Sequence, residues 1–291
     1  MKIVVASAGL ANMMFAYALV IAFRKRGVKS LLFVTESNAA HHGYELQSVF
    51  HNVKPYEGIG HLFAIYYKVL GKLRNMHIRS YRVPNKVLLF PFKEHYLQEC
   101  MIYYPEVFGC EKNVYYERQC QSYKYYEGCY RELCNAFAFD DTMLSSKSNV
   151  IRDKIRDCNS VSIHIRRGDY LYGTNRGLGN VCNESYYKKT IEFLKTQTDN
   201  PVFFVFSDDK EWVKKHFNSP NMIVVDHNYG KDSWQDMYLM SKCCHNICAN
   251  SSFSWWAAYL NQNREKIVVV PKKWYMTLEY DEVPPPEWIR L

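Results

Sequence analysis

The chain of 291 residues carries 37 Lys and Arg against 29 Asp and Glu, a formal charge of +8, with 48% hydrophobic and 23% charged residues. That length holds two domains or one large one with a substantial core, and the apolar share excludes a disordered chain. The surplus points to anionic partners, but the basic residues are scattered and no run exceeds Arg24-Lys25-Arg26, which argues against nucleic acid.

From the amino terminus, Ile3–Phe23 carries no charge and is long enough for a membrane anchor. It also parses as a strand at Ile3–Ala6, a small-residue turn at Ser7–Gly9 and a helix closed by Gly27, the opening of a nucleotide-type βα unit. Under the anchor reading, Arg24-Lys25-Arg26 would keep the body cytoplasmic. A strand-like run, Ser30–Thr35, precedes a mixed apolar and basic region reaching Arg79. Residues 95–130 are rich in Cys and in tyrosine pairs: Tyr103-Tyr104, Tyr115-Tyr116 and Tyr125-Tyr126. Rings with hydroxyls suit carbohydrate stacking and suit a core equally well. The polar segment Asp140–Ser148 predicts a boundary, hence domains at 1–148 and 149–291.

The second half is regular. Strands at Val161–Ile165, Val202–Phe206, Met222–Val225, Asn246–Ala249 and Ile267–Val270 alternate with helices near Ser185–Thr196, Lys210–Phe217, Trp234–Lys242 and Phe253–Asn261. Short apolar strands alternating with helices predict a parallel sheet, whose ligands sit beyond the carboxyl ends of the strands. The ten cysteines show no C-x-x-C pairing and read as reduced thiols of a cytoplasmic protein. Cys243-Cys244-His245-Cys248 has metal-ligating residue types, but strand alternation would separate the side chains, so no metal is assigned.

Candidate site residues follow the strands. After the first of them comes His164-Ile165-Arg166-Arg167-Gly168-Asp169, with Ser162, His164 and Arg166 on one face and Val161, Ile163 and Ile165 on the other. Asp169 can pair with one guanidinium, and the second suits a phosphate. Ser207-Asp208-Asp209 reads as a helix cap or as part of the site. Asn250-Ser251-Ser252 stands at a helix start, where free N–H groups attract anions, although capping alone would explain Ser252. Asp236 either completes a capping box with Ser233 or accepts from a nucleobase amino group or a ribose hydroxyl. Asn12, in the opening turn, is either turn scaffolding or a group that orients a sugar.

Together these residues resemble glycosyltransferase family 11, the α-1,2-fucosyltransferases. The pattern H-x-R-R-x-D stands at His164–Asp169, F-S-D-D at Phe206–Asp209, D-[ML]-x-L-M-S at Asp236–Ser241, and A-N-S-[ST]-F-S-W-W at Ala249–Trp256. The family opening G-G-L-G-N-Q is retained at Asn12 but departs at Ala11 and Met13, and the G-Y-[WF]-Q-S-E run is replaced by Arg118–Tyr123. The departures fall in the half that binds the acceptor in such enzymes.

The resemblance implies an α/β GT-B fold, two Rossmann-like domains facing across a cleft, with GDP-β-L-fucose held by the carboxy-terminal one. It further implies inverting transfer to the 2-hydroxyl of a β-galactoside, lipid-linked acceptors and peripheral membrane contact being compatible with it, and no cofactor or metal. By motif, Arg166 would hold the β-phosphate, with Arg167, Asp208 and Asp209 beside it. Asp169 would orient the arginines, His164 and Asp236 would address the nucleoside, and Asn250, Ser251, Ser252 and Phe253 the phosphates and base. Asn12 would touch the transferred sugar. A transferase of another linkage or acceptor, and a non-catalytic nucleotide- or glycan-binding protein, are the alternatives.

Overall fold

The fold is that of a computed structural model, whose described residues are 1–6, 8–34, 45–55, 65, 69, 93–95, 100–109, 114–116, 120–172, 176–179, 181–275 and 282–291. Ser7, Thr35, Cys110, Arg118-Gln119 and most of the apolar and basic region up to Arg79 lie outside them. The chain divides into two compact units, Met1–Ala138 and Phe139–Leu291.

In the first unit, strands β1 (Lys2–Ala6), β2 (Ser30–Val34), β3 (Lys93–His95) and β4 (Val114–Tyr116) form a parallel sheet in the order β2-β1-β4-β3. The uncharged amino-terminal stretch supplies β1 and most of the helix Leu10–Lys25, which is buried along nearly its whole length from Leu10 to Phe23. A helix apolar on all sides belongs in a core. No helix among the described residues is long and apolar enough to cross a membrane. The basic run terminates this helix: Arg24 donates to the carbonyls of Lys54 and Pro55, Lys25 pairs with Glu132 at 2.7 Å, and Arg26 lies over the Phe108 ring. Cations at a helix carboxyl end complement its dipole, so the densest positive run is structural. Gly27 then turns the chain at φ +74°.

Tyrosines in this unit act as core pins. Tyr125 and Tyr126 are buried, and their hydroxyls donate to the carbonyls of Ile102 and Phe15 at 3.3 and 3.2 Å; Tyr17 reaches Lys54 in the same way. A ring buried with its hydroxyl satisfied contributes apolar area at no polar cost.

In the second unit, β5 (Ser160–Ile165), β6 (Val202–Ser207), β7 (Met222–Val225), β8 (His245–Ile247), β9 (Val268–Val270) and β10 (Ile289–Arg290) make a six-stranded parallel sheet in the order β10-β9-β8-β5-β6-β7. The final strand, a short edge piece after Pro284-Pro285-Pro286, has no apolar run and escapes sequence reading. Val161, Ile163 and Ile165 pack with Tyr186, Tyr187, Ile191 and Leu194 of the helix Glu184–Gln197, with Val213 of the helix Lys210–His216 and with Phe217 just after it. On the opposite face, Ser162 accepts from Asn246, so the two faces of β5 divide as alternation predicts. From β5 the chain winds outward to β6 and β7, then returns to the other side for β8, β9 and β10. The switch point therefore lies between β5 and β8.

The unit boundary precedes the polar segment instead of falling within Asp140–Ser148. Phe139 stacks on Trp234 with ring centroids 6.0 Å apart, and the Ser145 N–H donates to Gln235 at 2.9 Å. Asp140 accepts from the Thr142 N–H, and Ser145 from the Ser148 N–H at the start of the helix Ser146–Arg156. Capping residues and linker residues have the same composition, and only their partners separate them.

Candidate active site

Register brings the first motifs together. Ile165 pairs with Ser207 across β5 and β6, so Arg166-Arg167 emerges beside Asp208-Asp209. Asp208 accepts the backbone N–H groups of Arg167 and Gly168 at 2.9 and 3.1 Å and pairs with Arg166 Nη1 at 3.2 Å. Arg166 also donates from Nε to Asp169 Oδ1 at 2.9 Å, and its Nη2 lies 2.8 Å from the same oxygen. Arg167 pairs with Asp209 at 3.1 Å and lies 3.8 Å over the Trp212 ring.

Neither guanidinium is thus left for a phosphate alone, contrary to the sequence expectation. Two cations face three carboxylates. A guanidinium has five N–H donors, more than these three contacts can use, so Arg166 keeps Nη hydrogens for a phosphate oxygen. Asp209 also caps the Lys210–His216 helix by accepting from the Trp212 N–H at 3.1 Å. Gly168 is required by a close approach: a Cβ there would stand 2.9 Å from Asp208 Oδ2.

On the other side of β5, the chain after β8 supplies a helix start. The cap of the Ser252–Leu260 helix is Ser251, whose Oγ accepts from the Phe253 N–H at 3.3 Å; Ser252 is the first helical residue. Among the described residues the Ser252 N–H has no partner. Asn250 is buried and donates its amide hydrogens to the carbonyls of Leu178 and Trp274, so it holds the loop in place. Tyr170, next to Asp169, donates to the Asn250 carbonyl at 2.9 Å and ties the arginine loop to this one. Tyr187 and Tyr186, outside every motif, pin the mouths of β5 and β8 by donating to the carbonyls of His164 and Cys248.

His164 is buried with its ring 5.6 Å from that of Phe253, and its Nδ1 has no hydrogen-bond partner among the described residues. Burial, and secondarily the Arg166 charge, push its pKa down to about 3, so the imidazole is neutral. Buried nitrogens without a partner are uncommon, which marks this ring as a candidate ligand contact.

Asp236 makes no capping box. The Ser233 side chain does not cap the Trp234–Lys242 helix, and the buried Asp236 carboxylate accepts from Asn228 Nδ2 at 2.7 Å with Lys210 Nζ 3.9 Å away. Burial raises it to about 7, against the opposing influence of Lys210.

The cysteine cluster disperses as expected: Cys243 donates to Leu239, Cys248 to Ser254, and His245 Nδ1 accepts from the Ile267 N–H. In the first unit, Asn12 lies in the first turn after β1 and accepts from Gln121 at 3.3 Å; its Nδ2 has no partner among the described residues. Ala8, in the turn before it, has φ +63°.

A parallel α/β sheet with an arginine pair and a helix start on the two strands that flank its switch point places these residues where ligands bind in such folds. The chain belongs to glycosyl transferase family 11, whose model matches residues 72–291. It is 32% identical over 230 residues to the O-antigen biosynthesis glycosyltransferase WbnK of Escherichia coli, covering 74% of this chain and 75% of that one. It is 42% identical over 146 residues to an alpha-1,2-colitosyltransferase of Escherichia coli, covering 48% of this chain and 50% of the relative. With a galactoside alpha-(1,2)-fucosyltransferase 1 of Saimiri boliviensis boliviensis it shares 27% over 148 residues, 48% of this chain and 40% of the relative.

Proposed function

We propose that this glycosyltransferase moves L-fucose from GDP-β-L-fucose, with inversion, to the 2-hydroxyl of a terminal β-galactoside in glycan or surface-polysaccharide synthesis. The observation that carries the reading is the placement of Arg166 after β5 and of the helix start at Ser251–Phe253 after β8, the two neighbouring strands that flank the switch point. Family membership and the fucosyl and colitosyl activities named for relatives support it.

Cleavage of the glycosyl–phosphate bond places negative charge on the β-phosphate and oxocarbenium character on the sugar. Arg166 meets that charge with donors already oriented by Asp169 and Asp208, so little reorganisation accompanies the transition state. Arg167 is a positioning residue, fixed by Asp209 and Trp212. His164 and Phe253 border the nucleoside, and Asp236 accepts from the nucleobase. Asn12 uses its free amide hydrogens on the transferred sugar. Asp169 is engaged by Arg166 and so is a poor base; the departing phosphate takes the acceptor proton. The scheme uses no metal; Arg166 and the helix start are the groups it sets against the charge of the leaving phosphate.

The test is incubation with labelled GDP-fucose and a panel of β-galactosides, with and without chelator, followed by linkage analysis of the product. An α-1,2 product formed equally with chelator is expected. Activity abolished by chelation, or another linkage, would overturn the corresponding part of the reading. The 42% identity to a colitosyltransferase favours a second donor, so colitosyl and fucosyl donors should be compared in competition.

A further inference from the structure

Lys210 lies outside the four motifs, directly after the capping Asp209, yet its side chain is only 6% exposed. A lysine at that depth requires partners. Its Nζ donates to the Asn228 carbonyl at 2.5 Å and lies 4.2 Å from the centre of the Tyr229 ring. It stands 3.9 Å from Asp236 Oδ2, within Coulombic reach but beyond hydrogen-bond distance.

The other Asp236 oxygen is differently placed. Oδ1 accepts from Asn228 Nδ2 at 2.7 Å, and Asn228 is braced in turn by the Ser148 hydroxyl at 3.2 Å. His227 Nε2 lies 3.0 Å from that same hydroxyl. One carboxylate oxygen is thus anchored. The second accepts no hydrogen bond among the described residues and is balanced by charge alone.

We propose that Lys210 is a positioning residue for donor recognition: it holds the buried Asp236 as an anchored carboxylate whose Oδ2 stays open to the N–H donors of the nucleobase. This rests on the assignment of Asp236 to the nucleobase made above. A direct lysine hydrogen bond would occupy Oδ2. Without the ammonium, the desolvated carboxyl would take up a proton and turn from acceptor to donor.

The other charged or titratable groups around the cluster are Lys214 on the helix of Lys210, Asp226 and His227 after β7, and Lys147 on the Ser146–Arg156 helix. Lys214 and Asp226 pair with each other at 2.9 Å. The Asp236 carboxyl, already raised by burial to about 7, is opposed by Lys210 foremost and by Asn228 next. Removing the ammonium moves its titration upward.

The test is donor KM and kcat from pH 6 to 9 for wild type and the variants K210M, K210R and D236N. For wild type, donor KM should fall as pH rises through about 7. K210M should raise KM at pH 7 about fivefold, the effect at that pH of displacing the titration upward by roughly one pH unit, recovering at higher pH with kcat nearly unchanged. K210R should keep the wild-type profile, and D236N should raise KM at every pH. If K210M folds poorly, K210Q, neutral but able to donate to the Asn228 carbonyl, is read in the same way. A K210M or K210Q loss equal at all pH values, or no loss, overturns the role of Lys210 while D236N still raises KM. An unchanged KM in D236N removes the nucleobase assignment itself.

Discussion

At the carboxyl end of β1 the described residues offer Asn12, on a helix that is otherwise apolar nearly throughout. At the carboxyl ends of β5 and β6 it gathers Arg166, Arg167, Asp169, Asp208 and Asp209 within a few residues. Both regions open a parallel sheet, yet one is built for hydrogen bonding and the other for charge. The difference matches the chemistry divided between them in the proposed reaction. A diphosphate leaving group needs fixed, opposed charges, whereas a sugar needs directional donors and acceptors and little net charge.

The largest effect should come from the charged region. Arg166→Ala should lower transfer about a thousandfold while circular dichroism and the unfolding midpoint stay close to wild type. Near-normal turnover would remove the mechanism. A stability effect comes next. His164 is held near pKa 3 against an unfolded value of 6.5. A depressed pKa contributes stability that is complete above 6.5 and is lost as pH falls toward 3, at up to about 1.4 kcal/mol per pH unit. Between pH 6.5 and 5, wild type should lose about 2 kcal/mol more than His164→Gln in urea unfolding, and parallel pH curves would contradict the buried neutral imidazole.

Asn12→Ala probes the other region. Transfer should fall about tenfold, with GDP binding unchanged by calorimetry, as expected for one lost hydrogen-bonding group. A fall in GDP affinity would mean that the two regions do not divide the substrates as described. The smallest effect concerns the turn before Asn12. Ala8 sits at φ +63°, where a Cβ is strained, so Ala8→Gly should stabilise the chain by up to about 1 kcal/mol in thermal unfolding. A destabilised variant would place the strain elsewhere.

Legibility in the sequence also differs between the regions. The Lys210–His216 and Trp234–Lys242 helices, to within a residue, and the alternation along β5 follow from local pattern, because apolar periodicity is set by neighbouring residues. The arginine pair and the Asp208-Asp209 step are readable as charged strand ends. Their mutual engagement is not, since pairing depends on Ile165 standing opposite Ser207 in the sheet. Asn250 reads as a ligand residue but serves the loop, and Ser233 reads as a cap but caps nothing. Lys210 carries no signal in a linear reading; a lysine after a helix cap is ordinarily solvated.

The sequence by itself determined the parallel α/β character of the second unit, the strand ends where chemistry belongs and the residue types assembled there. These properties depend on periodicity, capping and motif order, all of which are local. Tertiary structure alone decided that the uncharged amino-terminal strand and helix, legible in the sequence as a βα unit, are buried as core, and that the +8 surplus is partly absorbed in ending that helix. It also decided which carboxylates hold which arginines, and which oxygen of Asp236 stays open. Burial and partner choice are set by strand order and register, and those bring together residues that no spacing along the chain connects.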